Sequence, residues 1–271
     1  MNQPIPPSAS KPVTTQTLWK LAERGEPLTM LTAYDFPTAQ LLDQAGIDML
    51  LVGDSLAMVV QGHDTTLPVT LDQMIYHAEM VGRAAKRALV VVDLPFPEGQ
   101  LDINRTLRAG ARILKETQCR AVKLEGGSEQ SERIEALVTA GIPTMAHIGL
   151  RPQNIHVDGG YRIQRDAEQL IADAQAAADA GAFAVLIECV PAEIAQKITE
   201  TIHVPTIGIG AGPHVSGQVL VINDLIGLTN GYLPRFVKQY ANSREQITEA
   251  VRKYIDDVKA KNYPEEKHWF R

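Results

Sequence analysis

The sequence predicts an α/β fold, a (β/α)8 barrel of the TIM type, on three observations. Eight short apolar runs rich in β-branched residues alternate with longer segments of helical period, which is the pattern of parallel βα units rather than of hairpins. The 271 residues suit one such barrel, which takes roughly 250. The competing open doubly wound sheet lacks its usual mark, because no GxGxxG follows the first run.

Along the chain, MNQPIPPSASKP (1–12) reads as a loose tail, rich in Pro and Ser and without the apolar centre of a secretion signal. A single barrel domain with a C-terminal helix is expected over 13–271. The first strand centres on LTMLTAY (28–34); Pro37 suits the first position of the helix after it, and Ala45-Gly46 closes that helix as a left-handed glycine would. The second and third strands centre on DMLLVGD (48–54) and LVVVDLP (89–95), and the fourth on AVKLEGG (121–127). Ala140-Gly141 closes a helix before the fifth, IPTMAHIG (142–149). The segment ADAQAAADAG (172–181) is helical by propensity and ends on Ala180-Gly181 before the sixth strand, AVLIECV (184–190). The seventh is VPTIGIGAG (204–212), and the shortest run, LIGL (225–228), is expected to be the eighth. Beyond it, 243–262 form a long amphipathic helix with Ser243 as N-cap.

A net charge of −6 offers no basic surface for nucleic acid or an anionic membrane, and no apolar run reaches the ~20 residues of a membrane span. Cys119 and Cys189 lie 70 positions apart, too few for a disulfide framework or a Cys-rich zinc site, so a reducing cytoplasm is the expected setting.

In this fold reactive groups gather where strands end and βα loops begin. Asp54, Asp93, Lys123, Glu125, His147 and Glu188 all fall late in their strands. Lys123 and Glu125 are two apart and share a face; outward they would be charges buried under helices, at a cost of several kcal/mol, and inward they meet the barrel mouth. A single strand-end Asp also serves as a helix cap, and a single His as a structural hydrogen-bonder. Three carboxylates on strands two, three and four, beside one lysine, repel one another unless a cation lies between them, and hard oxygen donors suit Mg²⁺. Glu188, in an apolar run, is expected to have a raised pKa and to serve as general base, the alternative being an ion pair with Lys123. GIGAGP reads first as tight loop geometry and only secondarily as an anion cradle.

The string LLVGDSLAMVVQGHDTTLPVTLDQMIYHAEMV, followed in order by VVDLPF, VKLEGG, AHIGL-RPQ, IECVP-E, and IGIGAG with GQVLV, closely resembles the ketopantoate hydroxymethyltransferase family from about Leu28 to Lys267. The resemblance implies transfer of a hydroxymethyl group from methylenetetrahydrofolate to α-ketoisovalerate (3-methyl-2-oxobutanoate), through a Mg-chelated enolate, to give ketopantoate on the route to pantothenate. It implies Asp54 and Asp93 at the Mg²⁺ and substrate, Glu125 completing the metal environment, and Ser55 holding the substrate carboxylate. It further implies Lys123 on the keto acid, His147 at the carboxylate, Glu188 as proton acceptor, and a cytoplasmic homodecamer. The chain departs from the family at PEGQLDINR after the third strand, at GGYRIQRD and at GAGPHVSGQ, loop positions that bear on folate contacts more than on metal. A Mg²⁺-dependent lyase or mutase of the same barrel type, and a barrel kept only as a scaffold, are the competing readings.

Overall fold

The structure, a computed structural model, describes residues 11–270. All but two positions of the expected N-terminal tail lie outside them. Two compact units are distinguished, one running to Val221 and the other from Ile222.

The first unit holds the helices and strands in the order α1 (Thr15–Glu23), β1 (Leu28–Thr32), α2 (Phe36–Ala45), β2 (Met49–Val52), α3 (Leu56–Val59), α4 (Leu71–Ala84), β3 (Leu89–Asp93), α5 (Ile103–Glu116), β4 (Ala121–Glu125), α6 (Ser131–Thr139), β5 (Thr144–Gly149), α7 (Ile155–Asp158), α8 (Ala167–Asp179), β6 (Ala184–Glu188), α9 (Ala192–Thr201), β7 (Thr206–Ile209) and β8 (Gly217–Leu220). The eight strands pair in parallel and in sequence order, and β1 pairs β8 to close the barrel. The expected fold class is the observed one.

The inward face follows from period-two alternation. Met49 and Leu51, Leu89 and Val91, Ala121, Met145, Ala184 and Leu186, and Ile207 form the buried core together with Val13 and Leu18. Continuing each strand at the same parity gives Asp93, Lys123, Glu125, His147 and Glu188. Charged side chains therefore occupy the upper end of a column whose lower end is apolar. Helix α1 closes the lower end: Thr14 caps it, Val13 N–H donates to Arg87 O at 2.8 Å, and Trp19 Nε1 donates to Phe183 O at 3.0 Å.

Two sequence expectations about the barrel are corrected. The eighth strand is Gly217–Leu220, not 225–228; both are short apolar runs, but a Cβ on residue 217 would lie 2.6 Å from Leu28 O, so only a glycine there lets this segment close against β1. Pro37 stands at the second rather than the first helical position, because Asp35 caps α2 by accepting from Thr38 N–H at 2.8 Å and Phe36 opens the helix. The glycines at 46, 141 and 181 are left-handed, as expected, with φ of 93°, 82° and 92°.

The second unit contains α10 (Ile222–Leu225) and α11 (Ser243–Lys259). Asn242, not Ser243, caps α11, its carboxamide oxygen facing Glu245 N–H, which moves the helix start by one residue. Ile247, Val251, Tyr254, Ile255 and Val258 leave an apolar stripe of α11 exposed. No helix of the described residues is long and apolar enough to cross a membrane.

Candidate active site

Register sets the first level of the site. Asp93 pairs with Lys123 across β3–β4, and Glu125 with His147 across β4–β5. Asp54, Asp93, Lys123, Glu125 and His147 are all buried, and the Glu188 side chain keeps 19 % exposure toward the mouth.

Asp54 lies beyond the end of β2, so parity alone does not place it. The Gly53 turn does: a Cβ there would stand 2.8 Å from Ser55 Oγ and 3.5 Å from Asp93 Oδ2, and its absence admits both groups. Asp54 N–H then donates to Asp93 Oδ2 at 3.0 Å, while Ser55 Oγ lies 2.8 Å from the hydroxyl of buried Tyr34.

Lys123 Nζ is the central charge, 2.8 Å from Asp93 Oδ1 and 3.0 Å from His147 Nδ1. Asp93 Oδ1 makes no aligned hydrogen bond among the described residues, so the first contact is an ion pair. Burial alone would lower the Lys123 pKa, but the carboxylates of Asp93, Glu125 and Asp54 outweigh it and hold the ammonium charged. Burial, then Lys123 and Arg151, hold His147 well below its ordinary value, so the imidazole is neutral. An ammonium has only protons to give; Nδ1 must accept, and the ring proton sits on Nε2. Nε2 lies 3.2 Å from Glu188 Oε2, not aligned as a hydrogen bond.

The acids respond to this setting differently. Burial, then Asp93, push Asp54 up to about 7, and burial, then Asp54, push Glu125 well above the carboxylate range. Burial pushes Glu188 up to about 8 against the opposing pull of Lys123. The alternative of a Glu188–Lys123 ion pair is not observed: Lys123 pairs with Asp93, and Glu188 faces His147.

No group of three His, Cys, Asp or Glu among the described residues forms a ready metal cage. The donor chemistry nevertheless fits a magnesium ion that keeps waters and takes few protein ligands: three carboxylates share one ammonium, and buried Glu125 Oε1 has no hydrogen-bond partner among the described residues. The structure thus brings together Asp54, Ser55, Asp93, Lys123, Glu125, His147 and Glu188. It adds Tyr34 and Gln153, which sequence reasoning passed over. Both are neutral and break no apolar pattern, although Gln153 falls in the RPQ string. GIGAGP begins in β7 and leaves it as a loop, with Gly210 and Gly212 left-handed.

Residues 12–266 match the family model described as ketopantoate hydroxymethyltransferase. Among relatives named 3-methyl-2-oxobutanoate hydroxymethyltransferase, that of Rhodopirellula baltica is 67% identical over 95% of this chain and 96% of its own. That of Desulforapulum autotrophicum is 51% identical over 96% and 98%. Solved structures share the fold at low identity. A phosphonopyruvate hydrolase in complex with oxalate and Mg²⁺ has a TM-score of 0.62 at 13% identity, covering 94% of this chain and 93% of its own. A 2,3-dimethylmalate lyase of the PEP mutase/isocitrate lyase superfamily has 0.60 at 19%, covering 92% and 88%.

Proposed function

This chain belongs to the ketopantoate hydroxymethyltransferase family, and we propose that it transfers the one-carbon unit of methylenetetrahydrofolate to C3 of 3-methyl-2-oxobutanoate, giving ketopantoate. The observation that carries the reading is a division across Lys123: Asp54 and Asp93 lie on one side, and neutral His147 with Glu188 on the other.

Asp54 and Asp93, with Glu125 completing the acid set, would hold a magnesium ion, which when bound supplies Lewis acidity to the keto oxygen of the substrate. Lys123 offers a permanent cation to the keto acid, and the Ser55 hydroxyl, held by Tyr34, offers a hydrogen bond to its carboxylate. His147 would contact the same carboxylate. Glu188, with a pKa near the working pH, accepts the C3 proton at Oε2. The electron pair left at C3 forms the new bond to the methylene carbon as its bond to one folate nitrogen breaks; water then displaces the second nitrogen and supplies the hydroxyl, and the two nitrogens take up the C3 proton and a proton of that water as tetrahydrofolate leaves. The two free cysteines accord with a cytoplasmic enzyme, and the exposed apolar stripe of α11 accords with a homo-oligomer.

The test is a product assay by NMR with keto acid, methylenetetrahydrofolate and Mg²⁺. Ketopantoate formed only when all three are present supports the reading; cleavage of the keto acid instead would establish a lyase on the same fold.

A further inference from the structure

Gln153 follows β5 in a single 3-10 turn, Pro152–Asn154, and is 6% exposed. Its backbone N–H donates to Glu125 Oε2 at 3.0 Å. Its side-chain Nε2 donates to Asp54 Oδ2 at 2.8 Å and to Leu94 O at 3.1 Å, and its Oε1 accepts from Gln100 Nε2 at 2.6 Å. Both protons and the oxygen of this amide are therefore engaged. Its orientation is dictated by its partners, since a flipped amide would set oxygen against a carboxylate and a carbonyl.

We propose that Gln153 is a positioning residue that aims the carboxylates of Asp54 and Glu125 into the site, and that Gln100 locks it in place. Two acids, one in the turn after β2 and one at the end of β4, cannot be held at a fixed spacing by their own repulsion. One residue that donates to both, through backbone and side chain, does so. Gln100 lies in the loop between β3 and α5, so that loop and the acid pair are tied through a single amide. The inference rests on the reading of Asp54 and Glu125 as the acids of the cation side.

Gln153→Met keeps the length of the side chain and the backbone bond to Glu125, and removes the three side-chain bonds. Calorimetric titration of the full chain with 3-methyl-2-oxobutanoate at stepped Mg²⁺ concentrations reads the consequence directly, and thermal melting reads folding. The half-saturating Mg²⁺ concentration is expected to rise about tenfold, the scale of lost hydrogen bonds to a charged group, in a protein that still melts cooperatively. A purely structural role would lower the melting temperature and leave the Mg²⁺ dependence within about twofold of the parent, on the same conversion of energy to affinity; that result overturns the proposal. Should Gln153→Met fail to fold, Gln100→Met, which removes only the lock, decides: about threefold weaker Mg²⁺ dependence supports the proposal and none overturns it. A parent chain that binds the keto acid without regard to Mg²⁺ overturns the underlying assignment of the acids, and this inference with it.

Discussion

At the lower end of the barrel the inward side chains of β3, β4 and β6 are Leu89, Ala121 and Ala184; four residues further along the same strands they are Asp93, Glu125 and Glu188. Backbone, pairing and parity are the same at both levels. Below, Val13 and Leu18 complete an apolar core; above, four acids, a lysine and a histidine gather at the strand ends. Burying unpaired charge costs several kcal/mol, and apolar replacements of buried ions are often neutral or stabilising. The upper layer therefore does not exist for stability. The comparison teaches that the lower layer holds the barrel closed, and the upper one uses that rigidity to keep charges where water would otherwise relax them.

The comparison breaks if the two levels respond alike to substitution. The largest expected effect is at Glu188: Glu188→Ala should slow turnover about 10²- to 10⁴-fold, as loss of a general base does, while the melting temperature stays or rises. Steady-state kinetics beside a thermal melt checks both, and a fall in stability without a fall in turnover would reverse the assignment. Asp93→Asn strands the buried Lys123 ammonium and should cost ~3–5 kcal/mol of stability, besides losing Mg²⁺-dependent keto-acid binding; urea unfolding and calorimetry read the two separately. At the lower level, Leu18→Ala should cost ~2–5 kcal/mol in urea unfolding and leave kcat unaltered well below the melting point. The smallest effect is graded with pH. A base acts in its deprotonated form, so with Glu188 raised to about 8 the rate should fall as pH drops below that value, about tenfold per unit, and level off above it. A profile flat from about pH 6 to 9 would place the base elsewhere.

The two levels were also unequally legible in the sequence. Seven strands and the left-handed glycines followed from apolar runs and Ala-Gly punctuation, because those patterns report burial and backbone sign directly. The charged layer was legible because an ionisable residue late in an apolar run has only one place to go in a closed barrel; Asp93, Lys123, Glu125, His147 and Glu188 are such cases. Asp54 was legible as a strand-end acid, but its placement depends on the missing Cβ of Gly53. The eighth strand was misplaced because GQVL and LIGL carry the same apolar signal, and the close approach of Gly217 to Leu28 is a tertiary fact. Gln153 and Tyr34 stayed hidden for a related reason: a neutral side chain that satisfies buried acids leaves no mark in charge or periodicity.

The most direct test of the division across Lys123 is exchange of the C3 proton of 3-methyl-2-oxobutanoate with solvent deuterium, followed by NMR without folate, for the parent chain and Glu188→Gln, each with and without Mg²⁺. The account predicts Mg²⁺-dependent exchange in the parent, slowed at least ~100-fold in the variant. Exchange at the parental rate in Glu188→Gln, or equal exchange without metal, would contradict it.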